Sequence, residues 1–438
     1  MPSIKKIPWK NIFNRTLSWA SLFLLLSLVF LLLITAAYAI PNRWIEKNTR
    51  SSMEHLAQDP PGFWPTMPYG RGVTMDYRTD QRMLDHALVP EGESLFRAAQ
   101  VPAYARYWHG YQVYLRPMLI FGDLQMLRYW NGLFQFALIA LLCALIAKRL
   151  QPLISVAFGL SLAFAGYIYV PLSFQFSSVF LVMLVSSNLL LLLYDKERFR
   201  KWLPQYFFVI GAVTVFLDFL TAPIITLGVP LVLVLLLRMK DASGNTGTGR
   251  NALGIAGQSA AWGAGYVTLW FSKWIISSLL LGRNMVRIGL EQIFFRTGAS
   301  ADGYISIDLG ESVPLQTWDG FLELNRFQAA ANSLFTLFRD RDIPIFLAAV
   351  CLACLGACLI SKRARDKIPQ ITPLLLIALI PFCWMAVLGQ HTLIHSFFVY
   401  RNWMVSLFAL MCVPGYLLRE AFAGSDKASI AAKQNMRK

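Results

Sequence analysis

Charge is what this 438-residue chain has least of. Asp, Glu, Lys and Arg together make up 15 % of it, against 56 % hydrophobic residues and a mean hydropathy of +0.50. So little charge excludes a single soluble domain, in which about a quarter of the residues are charged. The period-two alternation of an outer-membrane barrel is missing as well. The sequence contains no Walker loop, no dinucleotide-binding glycine fingerprint and no GxSxG elbow, so nucleotide hydrolysis, hydride transfer and serine hydrolysis lack their usual machinery. Histidine is scarce, at five residues, and the HExxH pattern fails because Thr392 stands where glutamate is required. The six cysteines fall in apolar runs. Cys351, Cys354 and Cys358 share one helical face, which fits small-residue helix packing better than metal binding.

What is present is lipid-like sequence. Ten apolar runs, at residues 17–40, 129–147, 152–170, 174–194, 203–221, 223–237, 252–272, 343–360, 371–388 and 403–418, match a bilayer core at about 1.5 Å per helical residue. The run at 223–237 is short and reads as a tilted or broken element. The first run is too long for a signal-peptide core and is followed by Pro41 rather than a small-residue cleavage site, so it reads as a retained span. The expected fold is all-α: one polytopic membrane domain over 1–438, with about ten transmembrane helices and further helices lying in the interface.

Orientation follows from where the cations fall. With the N-terminus cytosolic, the cytosolic segments hold 22 Lys and Arg against 6 Asp and Glu, and the outer segments hold 17 of each sign. The net charge of +16 is then positive-inside bias and requires no nucleic-acid partner. This places the tail, 419–438, in the cytosol, and two long loops, 41–128 and 281–342, outside. The outer cations are sixteen arginines and Lys47. Arginine supplies a planar fork suited to phosphate and carboxylate, although translocated loops also disfavour lysine. All five histidines, His55, His86, His109, His391 and His395, lie on the outer side, so the chemistry is expected there.

Four stretches carry candidate chemistry. YARYWHGYQVYLRP, residues 104–117, wound as a helix, puts Tyr104, Tyr107, Trp108, Tyr111 and Tyr114 on one face and Arg106, His109 and Arg116 on the other. That pattern predicts an interfacial helix with its tyrosines toward lipid, serving either as an anchor or as a holder of a lipid-linked phosphate. In TMDYRTDQRMLDHAL, Asp76 and Asp80 share a helical face with Arg78 and Arg82 interleaved; either acid has the chemistry of a general base or a metal ligand, and either could form an ordinary surface ion pair. Asp218, inside a span before a Thr-Ala-Pro break, is a functional candidate because charge in a membrane is costly; its expected partner is an outer arginine or Lys273. HTLIHSFFVYRN places His391 and His395 one turn apart with Arg401 following, suited to phosphate or hydroxyl binding, or with a third ligand to a metal.

A first span, a long outer loop with carboxylates, an interfacial helix and then many spans together resemble the GT-C superfamily of membrane glycosyltransferases, over most of the chain. The blocks YARYWHGY and HTLIHSFFVYRN are also similar to bacterial multispanning proteins associated with surface polysaccharides. The resemblance implies a polyprenyl-phosphate sugar donor, a cell-envelope glycan or lipid acceptor, and an inner (plasma) membrane location. It implies a first-loop acid as base or metal ligand, Asp76 first and Asp80 second. The family's adjacent acidic pair is lacking here, and dependence on a divalent cation stays open. The cations Arg106, His109, Arg116, His391, His395 and Arg401 would stabilise charge on the phosphate, and Trp64 and Trp318 would stack on sugars. A polysaccharide polymerase or ligase without a carboxylate base, and a transporter or flippase with Asp218 essential, are the alternatives.

Overall fold

The computed structural model describes residues 9–58, 77–241, 247–297 and 360–435, with scattered positions between 327 and 356. Every regular element among them is helical. In chain order these are α1 (Trp9–Tyr38), α2 (Asn42–Gln58), α3 (Tyr77–Asp85), α4 (Leu95–Ala98), α5 (Gln112–Leu119), α6 (Leu124–Arg149), α7 (Pro152–Phe164), α8 (Phe174–Leu193), α9 (Glu197–Lys201), α10 (Leu203–Leu217), α11 (Ile224–Asp241), α12 (Thr248–Leu281), α13 (Met285–Thr297), α14 (Lys362–Val387), α15 (Gly389–Ile394), α16 (Ser396–Val399) and α17 (Met404–Asn435). Short 3-10 turns lie at Pro102–Tyr104, Tyr167–Leu172 and Tyr400–Trp403.

The chain is a helical membrane protein. Five described helices, within Thr16–Tyr38, Leu124–Arg149, Phe174–Leu193, Thr248–Leu281 and Lys362–Val387, are long and apolar enough to cross a bilayer. Pro152–Phe164 and Leu203–Leu217 are apolar but shorter. The expected span at 343–360 lies mostly outside the described residues. Burial separates centre from rim. The apolar window of α8 is 72 % buried, whereas that of α1 is 28 % buried, leaving Leu24, Leu25, Leu28 and Leu32 exposed as a lipid-facing stripe.

Small residues set the tightest crossing. A Cβ on Gly211 of α10 would collide with the Trp262 carbonyl of α12, and one on Gly265 of α12 with the Phe208 carbonyl of α10. The two backbones therefore touch at reciprocal glycines, as expected where close packing rather than hydrophobic burial drives helix association. Substituting either glycine would push the pair apart.

We call the end of the bundle where α10 gives way to α11 the upper end. Here the predicted single helix over 104–117 is not formed. The 3-10 turn at Pro102–Tyr104 is followed by irregular backbone, and the next helix, α5, begins only at Gln112. The break is imposed at His109 and Gly110. His109 has φ +57, and the Gly110 N–H donates to the Phe216 carbonyl at 2.8 Å, an approach that any Cβ would block. Nor do the aromatics face lipid: Tyr107, Trp108 and Tyr111 are buried. Trp108 Nε1 donates to Leu269 O at 2.7 Å, and Trp270 and Trp274 donate to the Arg106 carbonyl at 2.8 and 3.0 Å, so α12 holds the segment down.

Candidate site at the upper end of the bundle

A polar cavity of about 140 Å³ opens at this end. Helix α3 supplies Thr79, Arg82 and Met83, with His86 just beyond it. The 102–111 segment supplies Tyr104 and Tyr111, and the start of α8 supplies Gln175. Phe219, Arg296 at the end of α13, and His391, His395 and Phe398 complete the wall. Its cations are Arg82 and Arg296, and among the described residues no carboxylate lines it. The chemistry is that of an anion site: two guanidinium forks and three imidazoles around a space the size of a phosphate group.

The histidines stay neutral. Burial is the first cause for each, with a neighbouring cation second for His86 and His395: His86 is lowered to about 4 by burial and Arg82, and His395 to about 3 by burial and Arg296. His391 is lowered well below its ordinary value by burial, Arg296 and His395. Its tautomer follows from its neighbours. Nε2–H donates to the Leu220 carbonyl at 2.9 Å, so Nδ1 carries the lone pair and accepts from Arg296. The other Arg296 nitrogen donates to the Tyr107 hydroxyl at 3.1 Å. Leu220 stands at φ +67, and that turn aims its carbonyl at His391.

The predicted residues divide sharply. His391 and His395 are brought together, ring centroids 4.7 Å apart, in the cavity wall. His109 sits behind it, burial lowering it well below its ordinary value; its Nε2–H donates to the Tyr104 carbonyl at 2.8 Å, and its Nδ1 accepts from the Tyr111 hydroxyl at 3.1 Å. It therefore supports the cavity rather than lining it. Arg106 folds over the Tyr104 ring at 4.4 Å and donates to its hydroxyl at 3.0 Å. Arg401 is buried over the Phe176 ring at 4.3 Å. Arg116 lies elsewhere, fully buried, donating to the carbonyls of Ala37, Ile40 and Ala87. Its fork closes the C-terminal end of α1 against the α3–α4 connection, so the cationic face expected of residues 104–117 is dispersed.

The acids also part company. Asp80 is buried, and its carboxylate accepts from Ser173 Oγ at 3.2 Å, Phe174 N at 3.2 Å and Gln175 N at 3.0 Å. It serves as a cap on the N-terminus of α8, where a negative charge meets unpaired N–H groups. Asp76, like Trp64 and Trp318, lies outside the described residues. Asp76 precedes α3 by one residue, and α3 carries the cavity's Arg82. The expected Asp218–Lys273 pair is not formed. Asp218 accepts from the Thr221 N–H at 3.1 Å and from its hydroxyl, capping the turn into α11. Lys273 instead donates to Gln100 Oε1 at 2.7 Å, an oxygen shared with Ser277 at 3.0 Å. Among the described residues, no three His, Cys, Asp or Glu side chains gather as a metal-binding group.

Arg82, His86 and Arg296 complete the cavity without having stood out as site residues. The available signal was the arginine excess of the outer loops, which does not say which arginines meet.

Beside the cavity runs an apolar groove of about 630 Å³ between α5, α6, α8 and α10. Phe174 and Leu217 line the groove, while Gln175 and Phe219, one and two residues further on, line the cavity. The two spaces are thus bordered by the same turns. Comparison with known protein families, with functionally described proteins and with solved structures yields no match to this chain.

Proposed function

We propose that this chain is a GT-C-like glycosyltransferase of the bacterial inner membrane, with ten spans, both termini cytosolic and the upper end extracytoplasmic. It moves a sugar from a polyprenyl-phosphate donor to a cell-envelope glycan or lipid acceptor. The observation that carries this reading is the pairing of an arginine–histidine cavity with an adjoining apolar groove. At 140 Å³ the cavity is well below the 300–1,000 Å³ of a drug-sized site, so it suits a phosphate head rather than a whole substrate. The groove offers the tail a dry surface.

In this mechanism Arg82 and Arg296 hold the donor phosphate and take up the charge that grows on it as the glycosidic C1–O bond breaks. The acceptor oxygen forms the new bond to C1 and gives its proton to a base, and the lipid phosphate leaves. Gln175 Oε1 has no hydrogen-bond partner among the described residues, an acceptor suited to a sugar hydroxyl. His86 and His395, held neutral, have a free lone pair for the acceptor's proton, and the negative charge of a donor phosphate beside them would raise their lowered proton affinity.

The lining, which holds no carboxylate among the described residues, is compatible with the polymerase or ligase variant of this chemistry, in which a histidine replaces Asp76 as base. Purified protein in detergent, given a lipid-linked sugar and an acceptor, is expected to form product. Asp76→Asn separates the bases: lost turnover assigns Asp76, and retained turnover assigns the histidines. Substrate crossing sealed vesicles with no product formed would replace the whole reading with transport.

A further inference from the structure

A second polar cavity, also about 140 Å³, lies at the opposite, lower end of the bundle. It is set off from the first by the 18 residues of α11, a rise of about 27 Å. Three cations line it from three helices: Lys240 at the end of α11, Lys367 in the first turns of α14, and Arg419 in α17. Leu150, Ile154 and Met239 form an apolar part of the same wall. Among the described residues no carboxylate lines it. Asp241, beside Lys240, pairs with Arg200 at 3.4 Å, and Asp195 pairs with Arg149, while Asp366, beside Lys367 in sequence, is exposed and is not part of the lining. Lys240 is also positioned, its Nζ donating to the Arg149 carbonyl at 2.6 Å. An ammonium has three donors, so the direction of the others is constrained by this bond.

We propose that this cavity binds the phosphate head group of an anionic glycerophospholipid of the surrounding membrane. Positive-inside bias accounts for cations at this end, but not for three of them converging from separate helices on one concavity. The apolar wall selects lipid over a free anion. A phosphate placed among Lys240, Lys367 and Arg419 leaves its glycerol and acyl chains against Leu150, Ile154 and Met239, at the level where helices leave the hydrocarbon. Such a lipid would tie α11, α14 and α17 together, stabilising the bundle from the side away from the proposed catalytic cavity. The site does not depend on what the upper cavity does.

The test is lipid retention, measured by native mass spectrometry and by thermal melting in nanodiscs of phosphatidylglycerol or of phosphatidylcholine. The wild-type chain is expected to retain phosphatidylglycerol and to melt higher in it. The triple variant Lys240→Gln/Lys367→Gln/Arg419→Gln is expected to bind it about 100-fold more weakly, and each single variant about 5-fold. The single variants carry the test if the triple variant does not fold. A control triple, Lys196→Gln/Arg198→Gln/Lys201→Gln, at and beside α9, removes equal charge from residues that do not line the cavity and is expected to bind as wild type. Equal loss in the control would overturn the site in favour of diffuse surface charge. An equal thermal shift from inorganic phosphate alone, with no lipid preference, would overturn the lipid assignment.

Discussion

The Arg296 guanidinium joins the Tyr107 hydroxyl, 3.1 Å away, to the unprotonated Nδ1 of His391. It thereby connects the end of α13 to both the buried aromatic segment and the α15 turn. This contact sets the shape and the charge of the upper cavity at once, and it gives Arg296 a larger expected effect than the cations that lie behind the wall.

Arg296→Ala is expected to lower the proposed glycosyl transfer by about 10²–10³-fold, the scale of losing one preorganised charge-stabilising donor. Arg296→Lys keeps the charge but not the fork and is expected to fall between. The check is turnover on folded, monodisperse protein. Activity within a few-fold of wild type for the alanine variant would remove Arg296 from the phosphate site.

Asp80 behaves as a helix cap, so its loss is expected to show in stability. Asp80→Ala removes a charged acceptor from two backbone N–H groups and is expected to cost about 1.5–3 kcal/mol. Asp80→Asn keeps one acceptor oxygen and is expected to cost less. Turnover per folded molecule should remain close to wild type in both. A variant that melts normally but has no turnover would return Asp80 to catalysis.

Arg116→Met is expected to destabilise by roughly 2–4 kcal/mol, because three carbonyls at the end of α1 and near α3 lose a shared donor. Phosphate affinity of the surviving folded fraction should not change. Weakened donor binding with unchanged melting would contradict the structural role.

Two half-buried histidines make stability depend on pH. His86 and His395 titrate at about 4 and about 3 when folded, and near 6.5 when unfolded. Between those values the unfolded chain binds more protons, so stability is fullest above about pH 6.5 and declines as pH falls toward about 4. Melting temperature in detergent should follow that course. In His86→Asn/His395→Asn the decline should be shallower, and an identical decline would show that other groups control it.

Narrowing the groove tests the lipid tail. Val185→Trp or Val213→Trp, at two positions in its wall, is expected to raise KM for a long-chain donor about tenfold or more, taking about 0.8 kcal/mol per buried CH₂ displaced. A short-chain donor should be affected little. Equal effects on both donors would place the chain elsewhere.

Local pattern made some features legible and left others hidden. The helical class, the membrane class and most helix positions follow from apolar run length, which is a property of neighbouring residues. The pairing of His391 with His395 was legible for the same reason, being one helical turn. The helix expected over 104–117 was not formed, because helical periodicity was outweighed by a tertiary contact, the Gly110–Phe216 backbone bond, and by the left-handed His109 beside it. Arg106 and His109 then both settled against Tyr104, while Arg116 turned away to the end of α1.

By itself, the sequence determined that this chain lives in a bilayer as a bundle of helices, since low charge and long apolar runs leave no other way to satisfy the backbone. It also determined that one group of loops is rich in arginine and histidine. Which of those side chains share a cavity was decided only by tertiary structure. Arg82, His86, Arg296 and His391 come from segments up to some three hundred residues apart, and Asp80 was taken from chemistry by a helix N-terminus more than ninety positions away. Charge in a low-dielectric interior goes to the nearest unsatisfied partner, and proximity there is set by packing rather than by spacing along the chain.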